Sequence, residues 1–548
     1  MKVVSVERAL DKAAAIIDGA FRQGASLNAL VLSLMCGKAE PFHRSGSRAA
    51  TFLTASELPL LFGEPDSQSM KEPKVMKTKE WSIPAKFQHT RPVAVRLLIL
   101  GLVCPALVCG QEPTPHGPAT NPDGSGHLLA RIYNSGFDLA HDSYNGISSA
   151  SDGRIYYVLS SQSIDVGAQI FSFDPATERV RHLADLTEVC GEKGLKAIPQ
   201  NKSHVRFWES NGKLYFASHI GYYTIKNGME TMGVPPRGYK SYLGGHFLSY
   251  DMATGKFENL ALAPHGEGII AMTMDPGRGR LYGLTWPTGY FIRFDLRANE
   301  LKDLGLYSAL GESVRGPQYR TLCRSLVVDP RDGSVYFTTA DGFILRYRYD
   351  RDAVEKVEGE DLRKDYFGVY DPTSSGTMAY NWRQAIWYAP ENMIYGVHGN
   401  SGYLFRFDPQ IPRVEVLPRI TSLPSQRSGM YDEFSYGYLG FIVGPDEKTL
   451  YYLTGGPIYR GGRRVAGKTT AQKGESKGEE DLHLITYYIP TGKYIDHGAI
   501  FIPDGQRPTE VNSIAVGKDA SVYALAAVIQ NGHSRTDLMR IPGPINGR

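Results

Sequence analysis

The chain of 548 residues exceeds ordinary single-domain size, so it holds either several domains or one large repeat architecture. Its 59 glycines, 33 tyrosines and 22 phenylalanines, with modest charge, suit an all-β protein of many tight turns and aromatic-rich strands. A formal net charge of +3, with no basic run beyond the short loop near Arg460–Arg464, excludes the electrostatic footprint of a nucleic-acid binder.

Residues 1–69 read as a weak helical pattern (ALDKAAAIIDGAF) followed by polar, unpatterned sequence. Arg91 and Arg96 then introduce an apolar run, LLILGLVCPALVCG, from Leu97 to Gly110, and the chain turns polar and Pro-rich. A basic flank, an apolar stretch too short to span a bilayer and small residues near a cleavage point are the grammar of a secretory signal. The expected organisation is a leader over 1–110 with its working start at Met70 or Met76, a linker over 111–127 and a folded domain over 128–548. The mature protein is expected to be secreted or periplasmic, monomeric and without an integral membrane span. A buried apolar helix or a signal anchor is the other reading of the run. Lipidation at Cys109 ranks below secretion because Val108 is bulky for that position. Only Cys190 and Cys323 remain in the folded part, and spacing does not decide whether they pair.

From Leu128 the chain repeats one unit: an apolar strand, a turn of the D-P-x-x-G kind, a second strand, a loop, a third strand ending in aspartate and a polar fourth. The clearest copy runs from Gly268 to Tyr307, GIIAMTMDPGRGRLYGLTWPTGYFIRFDLRANELKDLGLY. Parallel copies occupy Ile147–Leu186 and His204–Leu262, and others begin at Ser325, Gln384, Gly440 and Val511. Four short strands in roughly 40 residues are the period of a propeller blade. The expected fold is an all-β, seven-bladed β-propeller of four-stranded antiparallel blades. The seventh copy lacks a fourth strand, and Leu128–Asn134 (LLARIYN) is spare, so the N-terminal strand of the domain is expected to close the last blade.

In such a blade the one-to-two and three-to-four turns share one face of the disc, and the two-to-three loops and inter-blade crossings share the other. The first face carries plain turn-formers. The second carries His219 and His246 around the long blade-two insertion, Trp286 to Tyr290 in blade three and His398 in blade five. Crossings add His204, His265 with Glu267, Tyr319, Arg320, Arg324, Asn381, Trp382, Arg383, Tyr431 and Tyr436. Loops on a rigid scaffold are where binding and catalysis concentrate. A lone histidine in a β-protein is more often a hydrogen-bonded structural residue, so the weight rests on the convergence of several. Trp286 either fills core between blades or stacks on a sugar ring.

At SHIGYYTIKNGME (Ser218–Glu230), GGHFLSYD (Gly244–Asp251), GEGIIAMTMD (Gly266–Asp275), GLTWPTGYFIRFDL (Gly283–Leu296) and YRTLCRSLVVDP (Tyr319–Pro330) the sequence resembles the seven-bladed propeller polysaccharide lyases, the ulvan lyases and their relatives acting on rhamnosyl-glucuronate linkages. The resemblance covers blades two to four, and long insertions in blades one and six depart from it. It implies cleavage of an acidic polysaccharide or oligosaccharide by β-elimination at a uronate. On that resemblance His219, His246 and Tyr290 are the catalytic candidates, with Tyr290 and His219 moving protons and His246 holding the carboxylate or tuning the tyrosine. Arg320 or Arg324 opposes the carboxylate. His204, Trp286, Tyr319, Arg383 and His398 complete the expected substrate contacts.

The chemistry is coherent on its own terms. Removing the C5 proton of a uronate builds negative charge on the carboxylate, which a planar guanidinium can face. Hydrolysis of a rhamnosyl-uronate linkage is an alternative, but it normally takes two carboxyl groups, and this face offers only Glu267, Asp341 and Glu433. A non-catalytic glycan- or protein-binding propeller is the other alternative. No cofactor is required; a structural calcium ion in the central channel is conceivable for a propeller, although no acidic loop of the EF type is present.

Overall fold

The computed structural model describes residues 127–548 except 227–228, 376, 428–439, 461–462, 466–479, 531, 544 and 546–548. These residues belong to one compact unit, Ala106–Arg548. The leader, the linker up to residue 126, Tyr431, Glu433 and Tyr436 lie outside the described residues.

Seven antiparallel four-stranded sheets form a seven-bladed β-propeller. Blade one comprises Ile147–Ser149, Ile155–Leu159, Gln169–Asp174 and Arg179–Asp185, innermost strand first. Blade two comprises Trp208–Ser210, Lys213–Ala217, His246–Asp251 and Phe257–Leu262, and its two-to-three loop carries a separate hairpin, Tyr223–Lys226 with Met229–Met232. Blade three is Gly268–Asp275, Arg280–Trp286, Tyr290–Asp295 and Glu300–Leu306, and blade four is Val327–Val328, Val335–Thr338, Phe343–Arg348 and Ala353–Asp361. Blade five is Trp382–Tyr388, Met393–His398, Tyr403–Asp408 and Arg413–Arg419. Blade six is Phe441–Val443, Thr449–Pro457, Glu480–Tyr488 and Lys493–Phe501.

Blade seven has an inner edge in two pieces, Glu510–Val511 and Ala515–Val516, followed by Val522–Gln530 and His533–Ile541. Its fourth strand is Arg131–Tyr133, antiparallel to His533–Ile541 through the pairs Arg131↔Arg540 and Tyr133↔Leu538. The spare N-terminal segment therefore closes the ring. It also does more than expected, because Leu128 and Leu129 pair in parallel with Ile500 and Phe501 on the outer strand of blade six. One short segment thus caps the outer edges of two adjacent blades and removes two exposed ladders.

The aspartates that end the third strands have a local purpose. Asp295 Oδ1 accepts the Arg297 and Ala298 amides at 2.9 and 3.0 Å, and Asp251 Oδ1 accepts those of Ala253 and Thr254 at 3.0 and 2.8 Å. Each carboxylate holds the tight three-to-four turn from inside. Packing is mainly between blades, where aromatic rings meet: Phe291 on Phe337 at 4.9 Å, Tyr336 on Phe407 at 5.6 Å and Phe173 on Tyr523 at 5.9 Å. Such pairs contribute about 0.5–1.5 kcal/mol each beyond area burial. Cys190 and Cys323 are both buried and unbridged. Among the described residues no helix is long and apolar enough to cross a membrane.

Candidate functional site

The face of the two-to-three loops and crossings carries a closed cluster at the mouth of the central channel. It starts in the blade-one to blade-two crossing, where Lys202 bridges the backbone of His219 in both directions, at 3.0 and 2.8 Å. This clamp places Lys202, His204 and His219 side by side. The His204 ring stacks on Tyr144 at 4.9 Å and meets His219 edge-on at 4.4 Å. His219 in turn meets the edge of Trp286 at 5.6 Å, and Trp286 meets Tyr223 at 5.6 Å. The Lys202 ammonium lies 5.1 Å from the Tyr144 ring centre and 4.8 Å from that of Tyr223, and it pairs with Asp142 at 2.5 Å. Across the cluster, Arg324 donates to Glu312 Oε1 at 2.6 Å, and the other carboxylate oxygen of Glu312 accepts from Trp286 Nε1 at 3.1 Å.

Electrostatics keep the two imidazoles neutral. Burial pushes the His219 ring well below the ordinary histidine range, and Lys202 and Arg324 push it further. Burial does the same to His204, helped by His219, Lys202, Arg324 and Arg383. Burial also lifts the Tyr223 phenol well above its usual range, so it stays protonated. For Asp142 burial works against the charged form, but Lys202 and His141 outweigh it and hold the carboxyl below its usual range. The arrangement offers two uncharged nitrogen bases flanked by cations, the state a general base needs before it takes a proton.

The two histidines differ in access. His204 lines the central cavity of about 560 Å³, whereas His219 is 1% exposed and sits behind it. The His219 Nδ1 lies buried against Gly268 without a hydrogen-bond partner. A Cβ on Gly268 would stand 2.3 Å from His219 Nδ1. Gly268→Ala is therefore expected to displace the imidazole and to lower the melting temperature. The check is a thermal melt against wild type.

Of the remaining residues expected from sequence, Arg324, Trp286 and Arg383 belong to this region. Arg383 is 1% exposed and packs its guanidinium on Met378 Sδ. Others are placed elsewhere. His246 pairs with Ser218 across the sheet and so points to the opposite face of blade two from its neighbour His219. There it is locked between Glu192 Oε1 at 2.8 Å and Asn259 Oδ1 at 2.9 Å, in a buried network with Gln200, Ser218 and Tyr242. Tyr290 stacks on His265 at 4.0 Å, and His265 pairs with Asp303 at 2.8 Å, on the outer side of blade three. Arg320 is bound to Asp341 at 2.8 Å, and the buried Tyr319 hydroxyl is 3.1 Å from Thr321 Oγ1. Glu267 accepts from Thr285 Oγ1 at 2.6 Å.

His398 is fully buried, stacked on Phe367 at 4.3 Å and bonded to Ser401 Oγ at 2.9 Å. Burial pushes it down to about 3, and His497 down to about 4. Between pH 6.5 and those values the unfolded chain binds protons that the folded chain does not, so stability falls as pH falls through that window, by up to about 1.4 kcal/mol per pH unit for each ring. Melting temperature is expected to drop steeply below pH 6.5, and His398→Gln is expected to flatten the slope.

Lys202, Asp142, Tyr144, Tyr223 and Glu312 escaped the sequence reading. Tyr223 lies inside the resemblance segment, and Lys202 is two residues before His204. Among the described residues no group of three or more His, Cys, Asp or Glu is placed to hold a metal ion. The channel lining pairs Arg206 and Arg324 with a single acidic side chain, Asp275, which suits an anion better than calcium.

No family model matches the chain, and no curated protein matches it in sequence. Solved structures similar in chain course include a chain of the mitotic checkpoint complex, at 10% identity and a TM-score of 0.44 over 76% of this chain and 95% of that one. A puromycin-hydrolyzing peptidase of Mycobacterium tuberculosis is similar at 11% identity and a TM-score of 0.43, over 76% of this chain and 53% of that one. The extracellular domain of a hybrid two-component system of B. thetaiotaomicron gives 11% identity and a TM-score of 0.40 over 76% of this chain. The chain spans 40% of the length of that last protein.

Proposed function

We propose that this propeller is a secreted lyase that cleaves an acidic, uronate-containing polysaccharide by β-elimination. The observation that carries the reading is the pair of neutral imidazoles, His204 and His219, enclosed by Lys202, Arg324 and Arg383. Elimination requires a base for the C5 proton, positive charge against the uronate carboxylate as the carbanion forms, and a proton for the departing glycosidic oxygen. His204, opening on the cavity, is the proton acceptor, with His219 behind it. Arg324, in the cavity lining and held by the Leu322 carbonyl and Glu312, would have to share its guanidinium between Glu312 and the substrate carboxylate. The half-buried, protonated Tyr223, whose hydroxyl donates to the Ile220 carbonyl at 2.7 Å, would give up that bond to protonate the leaving oxygen, in place of Tyr290, which stacks on His265. The C4–O bond breaks, a C4=C5 double bond forms, and the proton balance closes between base and acid.

Hydrolysis is less well served, because the carboxylates nearest the histidines, Asp142 and Glu312, are committed to Lys202 and Arg324. The deciding experiment is incubation with a panel of uronate polysaccharides, following ultraviolet absorbance of the unsaturated uronate alongside new reducing ends. Both signals rising together supports elimination. Reducing ends without the chromophore means hydrolysis, and binding with neither signal means a glycan-binding propeller.

A further inference from the structure

We infer that the central channel holds a small oxyanion, a sulfate, a phosphate or a short carboxylate, on Arg206. This is a site below the histidine cluster and stands whether or not the protein is a lyase. Arg206 lies two residues before the inner strand of blade two and lines the cavity of about 560 Å³. No hydrogen bond, ion pair or aromatic ring satisfies its guanidinium among the described residues, and burial alone lowers it to about 10. Every other arginine near the channel has an assigned contact: Arg324 has Glu312, and Arg383 has Met378. The one acidic side chain of the lining, Asp275, is at the far turn and is already bound to Arg278 at 3.0 Å.

A second residue points to the same ligand. Gln384, in the inner strand of blade five, is 2% exposed, lines the same cavity and has an amide Nε2 with no partner. Blades two and five stand nearly opposite in a ring of seven. Both residues precede the closing pair of their blade's first turn, Ser210↔Lys213 and Tyr388↔Met393, by the same number of positions, so they sit at one level of the channel. The residues at that level in blades three and four are Ala271 and Ser325, short side chains that line the same cavity. Lower in the wall, the indole Nε1 groups of Trp208 and Trp387 are also buried donors without acceptors. A wall with a bare guanidinium and three orphaned N–H donors has an excess of hydrogen and of positive charge that an oxyanion would satisfy. The ion would also pin opposite blades to one another.

The test compares wild type with Arg206→Met by thermal melting, titrating sulfate, phosphate and acetate against chloride at constant ionic strength. Wild type is expected to gain stability saturably, with at least one oxyanion raising Tm by about 2 °C or more. Arg206→Met is expected to lose that saturable gain and to melt no lower than wild type in chloride, because an unpaired charge has gone from the channel wall. Equal shifts in both proteins, or no saturable shift in wild type, would overturn the site. If Arg206→Met does not fold, Gln384→Leu carries the same test: it keeps the charge, and it is expected to weaken oxyanion affinity several-fold, with unchanged affinity counting against the proposal.

Discussion

Replacing His204 or His219 with alanine is expected to lower the rate of appearance of unsaturated uronate by about 10²–10⁴-fold, the range for loss of a general acid or base. The argument rests on the protonation state. Both rings are held neutral by burial and by the cations beside them, so at neutral pH each has a lone pair to offer. His204 contacts the cavity directly and should lose kcat with little change in KM. His219, behind it at 4.4 Å, orients the His204 ring, so its loss should act on kcat as well. Tyr223→Phe is expected to remove the leaving-group proton and to fall in the same range. Two controls separate this assignment from the grouping expected from sequence. Tyr290→Phe should leave the rate within a few-fold of wild type, because that ring serves the His265 and Asp303 contact. His246→Ala should lower the melting temperature instead, since it strips Glu192 of a buried partner. Loss of rate in Tyr290→Phe with His204→Ala unaffected would move the site to the outer side of blade three.

The fold could be read from sequence because a blade is a local object. Its strands pair with their neighbours in the chain, its turns are announced by aspartate and glycine, and each copy repeats the signal. Ring closure was also readable, as a surplus strand at one end matching a deficit at the other. What the sequence did not reveal is the split of that segment between two blades, since the pairing of Leu128 and Leu129 with Ile500 and Phe501 depends on where distant edges meet in space. The face of the disc carrying the cluster followed from loop order. Depth and side did not. His246 and His219 flank the same loop, yet strand alternation sends them to opposite faces of blade two, and the partner pair Ser218 and His246 is the register that reveals it. Lys202 escaped notice because a lone lysine in a crossing ordinarily reads as a solvated charge. Only its burial against Asp142, Tyr144 and Tyr223 shows otherwise.

Lys202→Met is expected to cost about 3–5 kcal/mol of stability, because it leaves the Asp142 carboxylate buried with its main counter-charge gone. Lys202 is 1% and Asp142 7% exposed, so water cannot replace the lost contact, and the His141 Nδ1 at 2.6 Å is the partner left behind. Adding Asp142→Asn should recover much of the loss, since a neutral pair of similar shape has no charge to desolvate, and a double-mutant cycle would read the coupling directly. The pH dependence gives an independent check. In the wild type the folded Asp142 titrates below the unfolded group, so the pair stabilises above the ordinary carboxylate range and its contribution fades as pH falls through the lowered value. In Lys202→Met the sign reverses: the stranded carboxyl would titrate above the unfolded group, so the folded state holds the extra proton. The deficit should then be small in acid and grow as pH rises, reaching its full size once Asp142 ionises. A deficit that does not vary with pH would mean that the lysine acts through the bulk of its buried side chain, and that its charge is not what holds the histidine cluster in place.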